Sequence, residues 1–152
     1  MKIRLPHFAL LLLPLLLTLA TSVASADDDH RDPCSNKTIK GQYGFSYSGQ
    51  VLPGAGPPFT VGPIAGVAMF TFDGRGQLSL VDSTLFNGVP FPAVPFSHPN
   101  VGTYSVNADC TGTFDITSLG LTASMVIMER GKIIHDVVTN PNTAITAVGV
   151  RR

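Results

Sequence analysis

The chain has 152 residues, with ten Lys or Arg against ten Asp or Glu, so its formal charge is zero. Hydrophobic residues make up 44% and charged residues 13%, which excludes a disordered chain, because enough apolar surface is present to offset the entropy of ordering. No basic surface is visible to displace counterions from a nucleic acid, and the length suits one domain with a single core.

At the N-terminus, Lys2 and Arg4 precede an apolar run from Phe8 to Ala20, and small residues follow at Ala24, Ser25 and Ala26. That sequence of features predicts a cleaved secretory signal over residues 1–26 and a secreted or periplasmic protein. The run is too short to span a bilayer comfortably, and no second long apolar stretch follows, so no stable membrane insertion is expected after cleavage. The remaining chain carries eight Lys or Arg against ten Asp or Glu.

Residues 27–39 are predicted as a polar N-terminal segment crossing the floor of the domain, and residues 40–152 as the domain itself. The acidic start, Asp27 to Pro33, is read as a solvated spacer, since a short flexible tract offers a cation no preorganised geometry. Asn36-Lys37-Thr38 matches a glycosylation sequon. Cys34 and Cys110 are the two cysteines. In an oxidising compartment they are expected to close a structural disulfide, worth roughly 4.5 kcal/mol by loop entropy. Neither sits in a C-x-x-C motif or beside a His cluster, so no metal and no cofactor are expected.

From Lys40 onward, runs of β-branched and aromatic residues are cut by Gly, Asn, Asp and Pro, with no sustained helical period. Eight strands are predicted, at about 40–50, 63–73, 76–86, 100–107, 110–118, 121–130, 132–139 and 143–151. Asp73-Gly74-Arg75-Gly76 signals a hairpin. Two connections are rich in Pro instead: Val51 to Gly62, and Asn87 to Pro99. They are predicted as stiff loops, because Pro cannot donate to a ladder. Phe59, Phe91, Val94 and Phe96 make them apolar.

Such a meander closes into a barrel or folds as a sandwich. Counting strands up and down puts both Pro-rich loops at one end and both cysteines at the other. The inferred object is a cup, stapled below and rimmed by Pro and Phe above. Alternation places Tyr43, Phe45 and Tyr47 on one face of their strand, and Ala68, Phe70 and Phe72 on one face of the next. Leu78, Leu80, Asp82 and Thr84 share a face on the third. Packing accounts for most such aromatic stripes. If the faces enclose a pocket, the ligand-binding candidates are Tyr43, Tyr47, Phe70, Phe72, Phe91, Phe96 and Tyr104. Asp82 and His135 are then weak acid–base candidates. Strand parity is open, so either His135 or Asp136 faces inward. No G-x-S-x-G, Walker, H-E-x-x-H or dinucleotide-binding motif is present.

Three phrases, Gly41-Gln42-Tyr43-Gly44-Phe45, Phe72-Asp73-Gly74-Arg75-Gly76 and Gly102-Thr103-Tyr104 running on to Asp109-Cys110-Thr111-Gly112, resemble those of a family of small exported bacterial β-proteins. The resemblance covers residues 34–150. It rests on turn, strand and disulfide residues, so it implies a fold rather than an activity. The general shape is similar to calycin barrels, including the allene oxide cyclase-like group, with no catalytic motif of those cyclases to carry over. The expected fold is therefore all-β: an eight-stranded antiparallel up-and-down, calycin-like barrel with one disulfide. The expected function is binding of a small apolar or aromatic molecule in the barrel. The rivals are a cyclase or isomerase working in the lumen, and a filled barrel acting as an envelope or extracellular interaction module. Oligomeric state is not readable from the sequence.

Overall fold

Among the described residues the strands are β1 (Gly41–Val51), β2 (Gly62–Phe72), β3 (Gln77–Phe86), β4 (Val89–Phe91), β5 (Asn100–Val106), β6 (Thr111–Ile116), β7 (Leu121–Met128), β8 (Ile133–Val138) and β9 (Thr143–Arg151), and all but the exposed β4 alternate inward and outward residues. The structure, a computed structural model, describes residues 32–152 apart from Pro58 and His98. The predicted export signal and the first part of the acidic leader lie outside the described residues.

Eight of the strands form a closed ring, β1-β2-β3-β5-β6-β7-β8-β9, with β9 pairing back onto β1 and every neighbour antiparallel. All eight predicted strands are present, and their ends agree to within two residues. Turns 73–76, 107–110 and 129–132 lie at the end where β1 begins, here the lower end. The Pro-rich connections lie together at the upper end with turns 117–120 and 140–142.

The second Pro-rich connection is more structured than its prolines predict. Asn87 and Gly88 have φ of 49° and 81°, the paired positive values that a two-residue hairpin turn needs. They fold β4 back onto the top of β3, pairing Thr84 with Phe91, Leu85 with Pro90 and Phe86 with Val89. Pro90 is tolerated because β4 is an edge strand. β5 pairs only with the lower half of β3, Gln77–Leu80. The upper wall beside β3 is therefore built by β4 and the segment after it, which is anchored by the Phe96 N–H donating to the Asp82 carbonyl (2.9 Å).

The lower end is plugged. A 3-10 turn, Asn36–Ile39, runs under the ring and drives Ile39, wholly buried, into the core. Cys34 is bonded to Cys110, with 5.0 Å between Cα atoms. Asn36 is committed to this floor: its Oδ1 accepts from the Val106 N–H (2.8 Å) and its carbonyl accepts from the Tyr104 hydroxyl (3.2 Å). Arg151, the last residue of β9, donates from Nε and Nη2 to the Tyr43 hydroxyl (3.0 and 2.7 Å), and from Nη2 to the Thr38 carbonyl (2.5 Å). Tyr43 in turn donates to the Gly131 carbonyl. Gly131 has φ +82°, and a Cβ there would sit 2.2 Å from the Thr38 oxygen, so the plug requires glycine. Burial raises the Tyr43 phenol above its ordinary pKa, and Arg151 opposes the rise. Above this floor Tyr43, Phe72, Tyr104, Phe45, Phe70 and Phe114 pack edge to face and tilted, with centroids 4.4 to 6.4 Å apart.

Among the described residues no helix is long and apolar enough to cross a membrane. The disulfide marks a chain of an oxidising environment. A Cys34→Ala/Cys110→Ala variant is expected to lose roughly 3–4 kcal/mol of stability by denaturant titration. The native, non-reduced protein should show no alkylatable thiol by mass spectrometry.

Candidate functional site

The inward positions of the upper half are smaller than those below, and the ring does not close over the difference. A cavity of about 300 Å³ results. Phe45, Phe70 and Phe114 form its base, and Phe59, Phe86, Phe91 and Pro92 line it toward the rim. Its walls are otherwise aliphatic, apart from Tyr47, Thr84, Asn100 and two carboxyls, Asp82 and Asp136. No cationic side chain lines it among the described residues.

One wall carries a polar seam where the ladder between β3 and β5 stops at Leu80–Asn100. The Thr84 hydroxyl donates to Asp82 Oδ2 (2.6 Å), and Asn100 Nδ2 donates to Asp82 Oδ1 (3.3 Å). The Ser118 hydroxyl donates to Asn100 Oδ1 (3.0 Å). The Tyr47 hydroxyl lies 2.5 Å from Thr84 Oγ1, whose own proton serves Asp82, and 3.4 Å from Asp82 Oδ2. Tyr47 on β1 reaches β3 by crossing Gly66 on β2, the residue level with both. A Cβ on Gly66 would meet the Tyr47 ring and hydroxyl at 2.5 Å. Burial pushes the Tyr47 phenol well above its usual range, and the neighbouring Asp82 charge adds to the rise. The seam is thus internally satisfied, with each Asp82 oxygen accepting from a neighbour.

Asp136 differs. β8 sits four places from β3 around the ring, so Asp136 faces the lumen from the opposite wall. It is 8% exposed, and its Oδ2 is buried with no hydrogen-bond partner. Its register neighbours, Met125 on β7 and Ala147 on β9, offer no donor side chain. Burial raises its pKa to about 7.

These positions sort the sequence-derived candidates. Tyr47, Phe70 and Phe91 line the cavity, and Asp82 lines it within the seam. Tyr43, Phe72 and Tyr104 face inward but lie below the cavity, where they fill the floor. Phe96 is 49% exposed on the rim segment and does not line the cavity. His135 is corrected outright. It points out of the barrel, among the exposed Val126, Val137 and Val148 of β7, β8 and β9. The lumen-acting cyclase or isomerase reading therefore loses its histidine. Asp136 is the inward member of that pair, and sequence reasoning did not select it. Ile134 and Val138, two residues either side, would have been the signal, but Ile133 and Val137 flank His135 in the same way. Among the described residues no cluster of His, Cys, Asp or Glu converges for a metal ion. No protein-family model, curated protein or solved structure matches the chain.

The raised pKa of Asp136 has a definite sign. Between the ordinary value of 3.8 and about 7 the folded protein keeps a proton that the unfolded chain releases. Stability from this group therefore falls as pH rises through that window and levels off above it. The full fall is on the order of 4 kcal/mol. Asp136→Asn should flatten this slope and be the more stable form at about pH 8, read from denaturant midpoints. Gly66→Ala should displace the Tyr47 ring from Thr84, moving the Tyr47 side-chain resonances, and cost roughly 1–3 kcal/mol.

Proposed function

We propose that this chain is an exported binding protein that takes a small, largely apolar molecule of aromatic character into the upper half of its barrel. The cavity itself carries the reading. At about 300 Å³ it meets the lower end of the range for small-molecule sites, roughly 300–1,000 Å³, and it has the usual make-up of apolar walls with a few placed polar groups. A barrel acting only through its outer surface has no need of such a space, since well-packed interiors leave few voids larger than a water molecule. The rim supports the same reading. Phe91, Val94 and Phe96 are exposed around the upper end, where they offer an incoming apolar molecule its first contacts. Export to the periplasm or beyond is supported by the N-terminal signal features and by the Cys34–Cys110 bond.

The test is calorimetric titration with 2-phenylethanol, a neutral aromatic probe of suitable size. The wild-type protein should bind it, with shifts confined to cavity resonances. Ala68→Leu/Ala147→Leu, which fills the lumen from two walls, should weaken binding by about tenfold or more while leaving the midpoint of unfolding nearly unchanged. Equal binding by the filled variant, or failure of the wild type to bind 2-phenylethanol and its amine and ketone counterparts alike, would refute the proposal.

A further inference from the structure

Among the described residues, the buried side-chain polar atom without a hydrogen-bond partner is Asp136 Oδ2, in the lumen. Asp82 has Thr84 and Asn100 as donors, whereas Asp136 Oδ2 has none. Nothing around Asp136 supplies one. Met125 and Ala147 stand beside it on β7 and β9, and Ile134 and Val138 stand below and above it on β8. Across the lumen the titratable groups are Asp82 and Tyr47, neither of them a cation. His135 lies on the outer face of β8, and the Arg151 guanidinium is held in the floor by Tyr43 and Thr38.

A buried carboxyl without a donor costs free energy, and the cost is removed by a ligand that brings the missing donor. Two carboxyl groups on opposite walls and no lining cation make the lumen electrically complementary to a positive charge. Aromatic rings border the space, among them Phe45, Phe70, Phe91 and Phe114, and such rings attract cations and accept aromatic neighbours. Resting on the binding reading above, we infer that the ligand class is a small arylalkyl amine, bound as its ammonium ion with an N–H donated to Asp136 and its apolar body among the phenylalanines. A ligand with only an acceptor, such as a ketone, would require Asp136 to stay protonated. The pH dependence therefore separates the two. Asp136 ionises near neutrality in the free protein, so an ammonium ligand binds more tightly as pH rises from about 5 to about 8 and releases a proton as it binds, whereas a ketone binds less tightly over that window.

The experiment compares 2-phenylethylamine, 2-phenylethanol and acetophenone by calorimetry on the disulfide-bonded protein. At about pH 8 the amine should bind the wild type about tenfold or more tightly than the alcohol. Asp136→Asn should abolish that preference by weakening the amine about tenfold or more, while His135→Gln, on the outer face, keeps it. Equal affinities for amine and alcohol, a preference that survives Asp136→Asn, or amine binding that does not tighten with pH would each overturn the amine assignment and leave the binding cavity standing. Tighter binding of acetophenone than of the amine would do the same. Failure of all three probes to bind would overturn the cavity reading and this inference together.

Discussion

The ladder between β1 and β9 governs the rest of the molecule. It runs over nine residue pairs, from Tyr43–Arg151 to Val51–Thr143, and turns an open meander into a ring. A closed ring has no free edge, and its circumference is set by strand number and stagger rather than by what stands inside. The lumen must then be filled by whatever side chains the inward positions carry. Below the middle those are Tyr43, Phe72, Phe70 and Tyr104, which occupy it fully. Above, they include Gly66, Ala147, Thr84 and Asp82. The cavity follows from uneven side-chain volume in a vessel of fixed width.

The two ends differ in how they are held. The lower end is fastened by covalent and polar ties that converge on residues 34–40: the disulfide, the Asn36 bonds to β5, and the Arg151–Tyr43–Thr38 group. These ties join the start of the domain to its last strand and to its middle, so opening the floor requires the ring itself to part. The upper end has no disulfide and is tied by hydrogen bonds between neighbouring segments, among them Leu52 N–H to the Asn142 carbonyl and Asn87 N–H to the Pro63 carbonyl. Its small cluster of Val51, Ile64, Val138 and Ile145 sits against Ala55 and Phe59 of the first Pro-rich connection, while Val89, Phe91, Val94 and Phe96 of the second remain in contact with solvent. The fastening of the domain is thus concentrated at one end of the barrel axis.

The ring was legible because period-two alternation and turn residues are local signals, and in an antiparallel meander sequence neighbours are also spatial neighbours. Strand counting alone put the Pro-rich connections at the end opposite the cysteines. Depth within the lumen was not legible. Tyr43 and Tyr47 lie on the same face of the same strand, four residues apart, yet the first fills the floor and the second walls the cavity. Residue type does not encode that height; the plug by Ile39 and the stagger of the ring do. Parity in β8 was equally hidden, because apolar residues flank both His135 and Asp136 and only pairing with β7 and β9 decides between them. The β3–β4 hairpin was legible in principle. Asn87-Gly88 is a strong turn dipeptide, but Pro90 and Pro92 argued against a strand, and an edge position answers that objection.

The short β4 hairpin has a consequence for how such a protein changes over generations. It pairs with β3 over three residues, is held besides by the Asn87–Pro63 and Phe96–Asp82 backbone bonds, and stands outside the closed circuit of eight strands. Residues 87–99 can therefore be lengthened, shortened or exchanged without disturbing a single rung of that circuit. The same segment contributes Phe91 and Pro92 to the mouth. Frame and panel are thus separable: the lining of the upper opening can be rewritten over one short stretch while the eight-stranded circuit stays as it is.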